Sequence, residues 1–266
     1  RPRRKACSGI ISNVSQNYVY ENFGPIPEKA FSKPYISKGM GFWLPSLGML
    51  YTDVDCHQLY VWRDKFDHFL AKSSGAVLRD QTRFLRLEEK DGEIEAHLKK
   101  GDKVTKVRAR YLIGADGGHS RVIRSFAPEV YHGLPWSYAA QKYFEGKVDV
   151  DDRYLHWFLT RNISPFPWLN LKDDQVIIGL AIMKGQNFEE RFNRFVEFLK
   201  KTVGLEIKRE LAMEACPANT MTPLNRLSTA IKDTARASRI DLTGVAPADR
   251  FSSCPTAGAP EQRVGA

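Results

Sequence analysis

The sequence lacks a long apolar run and has few cysteines, and these absences exclude several classes of protein. No stretch of about 18 apolar residues occurs, so a membrane-spanning helix is not expected. The basic residues at the start are not followed by an apolar segment, which argues against a signal peptide. The four cysteines form no CxxC pair, so we expect neither a zinc site nor a disulfide scaffold and predict a reducing, cytoplasmic location.

Metal-ligand and hydrolase patterns are also absent. The six histidines have no metal-binding spacing, and no order of serine, histidine and aspartate is compelling. The formal net charge of +9 invites a nucleic-acid interpretation, but acidic residues are interleaved with the basic ones and no nucleic-acid-binding motif accompanies them. We therefore expect no metal and no specific nucleic-acid partner. The charge is compatible with peripheral contact with an anionic membrane surface.

The apolar pattern predicts both strands and helices. Residues 1–50 are rich in proline and glycine and predict loops. Helical spacing of apolar residues predicts helices at 64–72, 119–126 and 188–202. Short strands between Asp-Gly and Gly-Asp turns predict a β-meander at 83–115, whose last strand, 111–113, is apolar enough to be buried. A further β region at 138–182 completes a pattern typical of an α/β enzyme with a separate antiparallel sheet.

The glycine-rich stretch 114–120, Gly-Ala-Asp-Gly-Gly-His-Ser, carries the strongest chemical signal. Because it joins a predicted strand to a predicted helix, Gly117 and its neighbours allow backbone N–H groups to approach an anionic ligand. The carboxylate of Asp116 is an acceptor suited to a sugar or ribityl hydroxyl. The residues alone favour equally a second interpretation, a capped strand–helix corner with Asp116 as the N-cap.

This stretch resembles the GADGxxS motif of FAD-dependent monooxygenases of the aromatic-hydroxylase type and of geranylgeranyl reductases. The matching positions are Gly114, Ala115, Asp116, Gly117 and Ser120. The resemblance implies that Asp116 meets FAD and that the turn lies along the pyrophosphate. Many members carry an arginine three residues after the serine, where this sequence has Ile123.

Two upstream segments resemble the same family. Arg63, in Trp-Arg-Asp-Lys-Phe-Asp, is at the position where relatives bring an arginine to the flavin; the alternative is a surface pair with Asp67 one helical turn later. Cys7 and Gly9 resemble the R.K.CGGGLS segment of geranylgeranyl reductases, whose backbone passes the isoalloxazine ring. The alternative for Cys7 is an ordinary buried cysteine.

Aromatic residues downstream resemble the substrate-sheet motif of the family, with proline and tryptophan in a different order. The candidate substrate-binding residues are Tyr154, Trp157, Phe166 and Trp168. Aromatic side chains on a sheet over the flavin would suit an extended apolar substrate such as a polyprenyl chain. An aromatic sheet core is the alternative interpretation.

The resemblance covers roughly residues 1–226 and implies an α/β (α+β) fold with an incomplete FAD-binding Rossmann-like domain. We predict a partial FAD-binding domain at 1–130, an antiparallel substrate-binding sheet with a helix at 131–227, and a poorly matched, disordered tail at 228–266. No GxGxxG motif occurs, and 242–249 do not match the GDAAG-type motif of the family. We hypothesise a shortened and frameshifted coding sequence, which an intact single reading frame through both ends would contradict.

The resemblance implies an FAD-dependent oxidoreductase that reduces C=C bonds of an isoprenoid, with NAD(P)H as an electron donor. The alternatives are an FAD-dependent monooxygenase or halogenase, and a non-catalytic remnant of the family. The predicted partner is a small apolar or isoprenoid substrate, and the sequence gives no oligomeric state.

Overall fold

The computed structural model describes residues 4–133, 136–160, 162–164 and 167–218. The α-helices in these ranges are α1 (Asn13–Phe23), α2 (Arg63–Ser73), α3 (Arg121–Phe126), α4 (Pro128–Gly133) and α5 (Phe188–Val203). The strands are β1 (Ile10–Ile11), β2 (Phe31–Leu44), β3 (Gly48–Val61), β4 (Thr82–Lys90), β5 (Glu93–Lys100), β6 (Lys103–Ala109), β7 (Ser137–Lys147), β8 (Tyr154–Phe158), β9 (Trp168–Lys172), β10 (Gln175–Met183) and β11 (Glu206–Ala218).

The strands form two sheets. The larger has eight strands in the order β1-β3-β2-β8-β9-β10-β7-β11, and within it β2 and β8 run parallel while the other neighbours are antiparallel. The smaller is the antiparallel meander β4-β5-β6. The predicted fold class, mixed α/β with a β-meander and a separate antiparallel sheet, is confirmed.

The main core lies between α5 and one face of the large sheet. Apolar residues of α5 recur at helical spacing, so Phe192, Phe195 and Leu199 all face the sheet and are buried. They form one cluster with sheet residues such as Phe158 and Ile178. The Asn187 side chain caps the first turn of α5, and the helix ends at Gly204 in a left-handed conformation.

The prediction of loops across residues 1–50 is wrong. This region contains α1 and the long hairpin of β2 and β3. A Cβ added to Gly39 would lie 2.0 Å from the Thr52 carbonyl oxygen, and one added to Gly41 would lie 2.7 Å from the His156 ring. These glycines therefore mark positions where neighbouring strands approach closely, and such glycines cannot be distinguished from turn glycines by composition.

The prediction of a buried strand at 111–113 is also wrong. The meander ends with β6, and the chain continues without regular structure, with Tyr111 66% and Ile113 86% exposed. No strand among the described residues pairs with this segment, so Tyr111 and Ile113 are not covered by a neighbouring strand. The helix that was predicted to follow is present as α3.

In the large sheet, β1–β3 are formed by residues before position 130 and β7–β11 by residues after that position. The predicted domain limits stay predictions, and the tail 228–266 lies outside the described residues. Within the described ranges, no helix has both the length and the apolar character needed to cross a bilayer.

Candidate functional site

The structure brings Cys7, Gly9 and Arg63 together. The Nη1 group of Arg63 lies 3.5 Å from the Cys7 sulfur, and the backbone N–H of Gly9 donates to the same sulfur at 3.4 Å. Arg63 is the first residue of α2, and its Nε donates to Asp67 one turn later at 3.0 Å. Burial alone would lower the pKa of Arg63, but its contacts with Cys7 and Asp67 outweigh burial and raise it. The arginine therefore joins the N-terminal segment to α2.

Gly9 lies where no other residue fits. Its φ of 75° is in the left-handed region, and an added Cβ would lie 2.1 Å from the Val61 carbonyl oxygen and 2.6 Å from the Lys172 ammonium. The Gly9 carbonyl oxygen in turn accepts a hydrogen bond from the N–H of Val61 at 2.8 Å. Close approach of the segment to the end of β3 thus requires glycine.

Lys172 is a buried cation that the sequence reasoning missed. It is 1% exposed, its ammonium donates to the Val61 carbonyl oxygen at 2.6 Å, and it lies 4.6 Å from the centre of the Trp62 ring. Burial lowers the pKa of Lys172 from its usual 10.5 to about 8. A sequence signal existed, because Trp168, Asn170 and Lys172 alternate with the apolar Leu169 and Leu171 along β9.

The Gly114–Ser120 turn uses its carboxylate to begin α3. Asp116 accepts hydrogen bonds from the Ser120 hydroxyl at 2.5 Å and from the backbone N–H groups of Arg121 at 2.6 Å and Val122 at 3.3 Å. Burial alone would raise the pKa of Asp116, but these hydrogen bonds outweigh it and lower the pKa. Asp116 is therefore a carboxylate anion, and its exposed side chain can accept further hydrogen bonds.

An apolar groove lies beside this turn. It has a volume of about 430 Å³ and runs between the meander and the chain that follows it. Its walls include Phe84, Leu98, Val107, Leu112, Ile113 and Asp116. Asp116 thus lies at the edge of an apolar surface.

The residue before Cys7 and the Gly114–Ser120 turn both lie beside the end of β11. The Cys216 sulfur lies 4.0 Å from the carbonyl oxygen of Ala6, next to Cys7. A Cβ added to Gly118 would lie 2.7 Å from the carbonyl oxygen of Pro217. Neighbouring residues of one strand therefore lie beside Ala6, which precedes the Cys7–Gly9 segment, and beside Gly118, more than 100 positions further along the sequence.

Of the four predicted substrate residues, the structure pairs two. Trp157 and Trp168 are cross-strand neighbours on β8 and β9, with ring centres 6.1 Å apart. Tyr154 lies on the opposite face, where its hydroxyl donates to Asp53 at 2.5 Å. Phe166 lies outside the described residues. The substrate roles of all four stay predictions.

The face that carries Trp157 and Trp168 is also polar. The Tyr143 hydroxyl donates to Glu214 at 2.7 Å and accepts from the Gln141 side chain at 2.6 Å. Burial, followed by the Glu214 carboxylate, raises the pKa of Tyr143, so the phenol stays protonated. The Arg4 guanidinium lies 5.8 Å from the centre of the Tyr143 ring and 5.7 Å from that of Trp62. None of these residues was singled out by the sequence.

One group of possible metal ligands occurs in the described part of the chain. Atoms of Glu88, Glu95 and His97 lie within 4.8 Å of one another on the meander. Lys106 lies 2.7 Å from Glu95, and Arg86 contacts Glu88. His97 Nε2 is 3.3 Å from both carboxylates but outside hydrogen-bonding geometry. Because basic side chains already neutralise both carboxylates, we interpret the group as an ion cluster on a sheet surface.

The chain matches a family of known proteins. Residues 54–194, just over half of the chain, match the model of a family described as FAD binding domain. The chain belongs to this family of FAD-binding domains. FAD, predicted from the motifs, is therefore confirmed as the cofactor of the family. No curated protein matches the sequence.

Solved structures share the fold at low sequence identity. A geranylgeranyl bacteriochlorophyll reductase-like protein from Thermoplasma acidophilum has a TM-score of 0.64 and 20% identity, over 82% of this chain and 58% of that one. A triple mutant of a flavin-dependent brominase has a TM-score of 0.61 and 13% identity, over 82% of this chain and 59% of the brominase. Aklavinone-11 hydroxylase, solved with FAD and aklavinone, has a TM-score of 0.53 and 14% identity, over 82% of this chain and 46% of the hydroxylase. The chain thus spans about half to three fifths of these proteins.

Residues of the Gly114–Ser120 turn and of α2 fit FAD chemically. Asp116 offers carboxylate oxygens to hydroxyl groups, and Arg63 offers a guanidinium on a side chain that is 31% exposed. Gly117 has a φ of 83° and open space around its Cα, so a ligand can approach the backbone there. These residues would hold FAD; among the described residues there is no βαβ unit of the type that binds its adenosine half.

Proposed function

We propose that this chain is the part of an FAD-dependent oxidoreductase that holds the flavin end of the cofactor and one side of the substrate. The observation that carries the proposal is that Cys216 and Pro217 of β11 lie beside Ala6 and Gly118, which brings the chain next to Cys7 near the Gly114–Ser120 turn. Gly9 and Asp116 each have a local structural role, but the exposed Asp116 carboxylate and the open backbone at Gly117 leave groups available to a ligand. A single ligand that contacts both segments would use them.

FAD, when bound, supplies two-electron transfer between a donor such as NAD(P)H and an organic substrate. The chain would contribute binding, orientation and charge. Arg63 and Lys172 place two cationic side chains beside the Cys7–Gly9 segment, and Asp116 is kept ionised by the start of α3. Trp157 and Trp168 would present a flat apolar surface to the substrate.

The favoured reaction is reduction of a C=C bond in an isoprenoid. The Cys7 and Gly9 spacing supports it, because a cysteine there resembles geranylgeranyl reductases and not aromatic hydroxylases. The fold shared with the Thermoplasma acidophilum protein is compatible with it. Hydroxylation or halogenation is the second candidate, supported by the fold shared with the brominase and the hydroxylase.

The absorbance of the purified chain near 450 nm tests the proposal. We expect a yellow protein after incubation with FAD and removal of the excess, and we expect Arg63→Ala with Asp116→Ala to lose the bound flavin. Lys65→Ala, a neighbouring position on α2, is the control and should retain the colour. A colourless wild-type protein that is folded by circular dichroism would support a non-catalytic remnant instead.

Oxygen separates the two candidate reactions. With NADPH and a geranylgeranyl substrate, a reductase consumes one NADPH for each C=C bond reduced under anaerobic conditions. A monooxygenase or halogenase needs oxygen and is silent without it. Turnover that requires oxygen would contradict the favoured reaction and leave the second candidate.

A further inference from the structure

A row of residues across the large sheet carries hydrogen-bonding atoms that have no partner. Trp168 of β9 pairs with Gly179 of β10, which pairs with Gln141 of β7. A Cβ added to Gly179 would lie 2.2 Å from Cζ2 and 2.8 Å from Nε1 of Trp168, so the indole lies across the glycine. Among the described residues, neither the indole N–H nor the side-chain oxygen of Gln141 has a hydrogen-bond partner, and both are buried.

Asn170 adds a second unpaired amide beside this row. It lies two residues after Trp168 on the same face of β9, so the two side chains are about 7 Å apart along the strand. Asn170 is 0% exposed, and within the described part of the chain neither its oxygen nor its nitrogen has a partner. Burying an amide without hydrogen bonds costs free energy, and buried polar groups in folded proteins are nearly always paired.

The unpaired atoms define a complementary ligand. The indole of Trp168 and the amide nitrogen of Asn170 are donors, whereas the side-chain oxygens of Asn170 and Gln141 are acceptors. Because the oxygen and the nitrogen of the Asn170 amide lie side by side, a ligand that pairs with both must present a carbonyl next to an N–H or O–H. The neighbouring Trp157 ring offers a flat apolar surface for the rest of such a group.

The charges nearby favour a neutral ligand. The carboxylate of Glu214, held by the Tyr143 hydroxyl, lies next to Gln141 and disfavours an anion. The ammonium of Lys172 lies two residues beyond Asn170 on the same face and disfavours a cation. Burial penalises either charge.

We propose that Trp168, Asn170 and Gln141 bind a neutral planar group of the substrate in which a hydrogen-bond donor adjoins a carbonyl, as in an amide, imide or lactam. The inference rests on the proposed function in that this face of the sheet is the substrate side. It holds whether the flavin reduces or hydroxylates the substrate. It narrows the substrate class from a bare hydrocarbon to a molecule with a polar planar end.

Binding of three small probes to the full chain tests this inference. Phthalimide carries the donor and acceptors, N-methylphthalimide lacks the donor, and indane is the hydrocarbon of similar shape. By tryptophan fluorescence or calorimetry we expect phthalimide to bind about tenfold more tightly than indane, which is the worth of one or two net hydrogen bonds. N-methylphthalimide should lie between the two.

Two variants locate the effect. Asn170→Leu and Gln141→Leu should each reduce the affinity for phthalimide toward that for indane and leave the affinity for indane unchanged. Asn170→Leu should also raise the melting temperature, because it removes a buried unpaired amide. His156→Leu is the matched control: this polar side chain is also 0% exposed but lies on the face toward α5. It should not change the preference for phthalimide.

Equal affinity for phthalimide and indane in the wild-type protein would overturn the inference, as would absence of binding by every probe. A protein that prefers phthalimide but never retains FAD would overturn the proposed function and leave the binding site. A protein that retains FAD and shows no preference among the probes would overturn the inference and leave the proposed function intact.

Discussion

The two faces of the eight-stranded sheet come from the same strands but bury different chemistry. Toward α5, Leu169 and Ile178 lie among the phenylalanines of the helix in an apolar cluster, and His156 is a buried polar side chain on the same face. On the opposite face, Asn170 and Lys172 of β9 and Gln141 of β7 are equally buried. Since every strand alternates between the faces, one residue step separates an apolar core from a buried polar surface.

The difference indicates that the two faces of the sheet have different roles. Burial against α5 stabilises the fold, because it removes apolar surface from water and leaves few polar groups to satisfy. Burial of amides and an ammonium on the other face costs free energy unless each finds a partner. Residues that lower the stability of the fold are typical of binding surfaces. Selection for ligand binding therefore explains the buried polar residues of this face better than selection for stability.

The largest effect should come from the apolar face. We expect Leu199→Ala to destabilise the protein by about 4 kcal/mol, because Leu199 is 0% exposed and its loss leaves a cavity beneath α5. Urea unfolding followed by circular dichroism measures the change. Leu47→Ala, at a position that is 66% exposed, is the control and should change stability by less than about 0.5 kcal/mol. A cost for Leu199→Ala near that of the control would refute the division between faces.

The second effect concerns the Cys7–Gly9 segment, which packs against Val61 and Lys172. We expect Gly9→Ala to cost about 3 kcal/mol, because the new Cβ meets the Val61 carbonyl oxygen in addition to the strain of a left-handed φ. Gly24→Ala has a similar φ of 85° and nothing within 4 Å of the added Cβ, so it should cost only about 1 kcal/mol. Thermal unfolding of both variants gives the comparison. Equal costs would show that the Cys7–Gly9 segment does not depend on this close approach.

The smallest effect is a dependence of stability on pH that originates on the polar face. Lys172 has a pKa of about 8 in the folded protein, below its usual 10.5, so the unfolded chain binds more protons between these values. Stability should therefore rise by about 2 kcal/mol from pH 7 to pH 9.5, as the buried ammonium loses its proton. Burial raises the pKa of Tyr60 to about 12, so its opposing effect begins only near pH 10.

Lys172→Met isolates this contribution. The variant should lose most of the rise between pH 7 and pH 9.5 in urea unfolding at a series of pH values. Lys200→Met, on the exposed side of α5, serves as the comparison and should keep the wild-type slope. An unchanged slope in Lys172→Met would mean that the ammonium is solvated and that the polar face is open to water.

Much of the fold was predictable, because regular alternation marks its strands and helical spacing marks α5. The meander, β10 and α5 were placed within about two residues of their observed limits. The hairpin of β2 and β3 was missed because Gly39 and Gly41 serve close packing between strands, a tertiary cause that leaves no local pattern. The strand at 111–113 was wrongly predicted because apolar composition says nothing about whether a neighbouring strand exists.

The candidate site was predictable only where residues form a motif. Cys7, Arg63 and Asp116 belong to recognisable segments, and the structure gives each a defined contact. Asn170 and Gln141 were missed because a single amide inside a strand has no local signal. Their proposed role depends on their placement on one face of three neighbouring strands.

Two irregularities in β11 determine which parts of the molecule can share a ligand. Its register against β7 shifts once between Ile207 and Arg209 and again between Glu210 and Ala212. If β11 paired with β7 in one unbroken register from Glu206 onward, Cys216 would lie opposite Ser137 instead of Ala139, a displacement of about 7 Å along the sheet. At each shift two residues of β11 oppose one residue of β7, and beyond the shifts Cys216 and Pro217 face the same sides as their partners Ala139 and Tyr138. The point at which β11 lies beside Ala6 and Gly118 is therefore set by two bulges near the other end of the same strand.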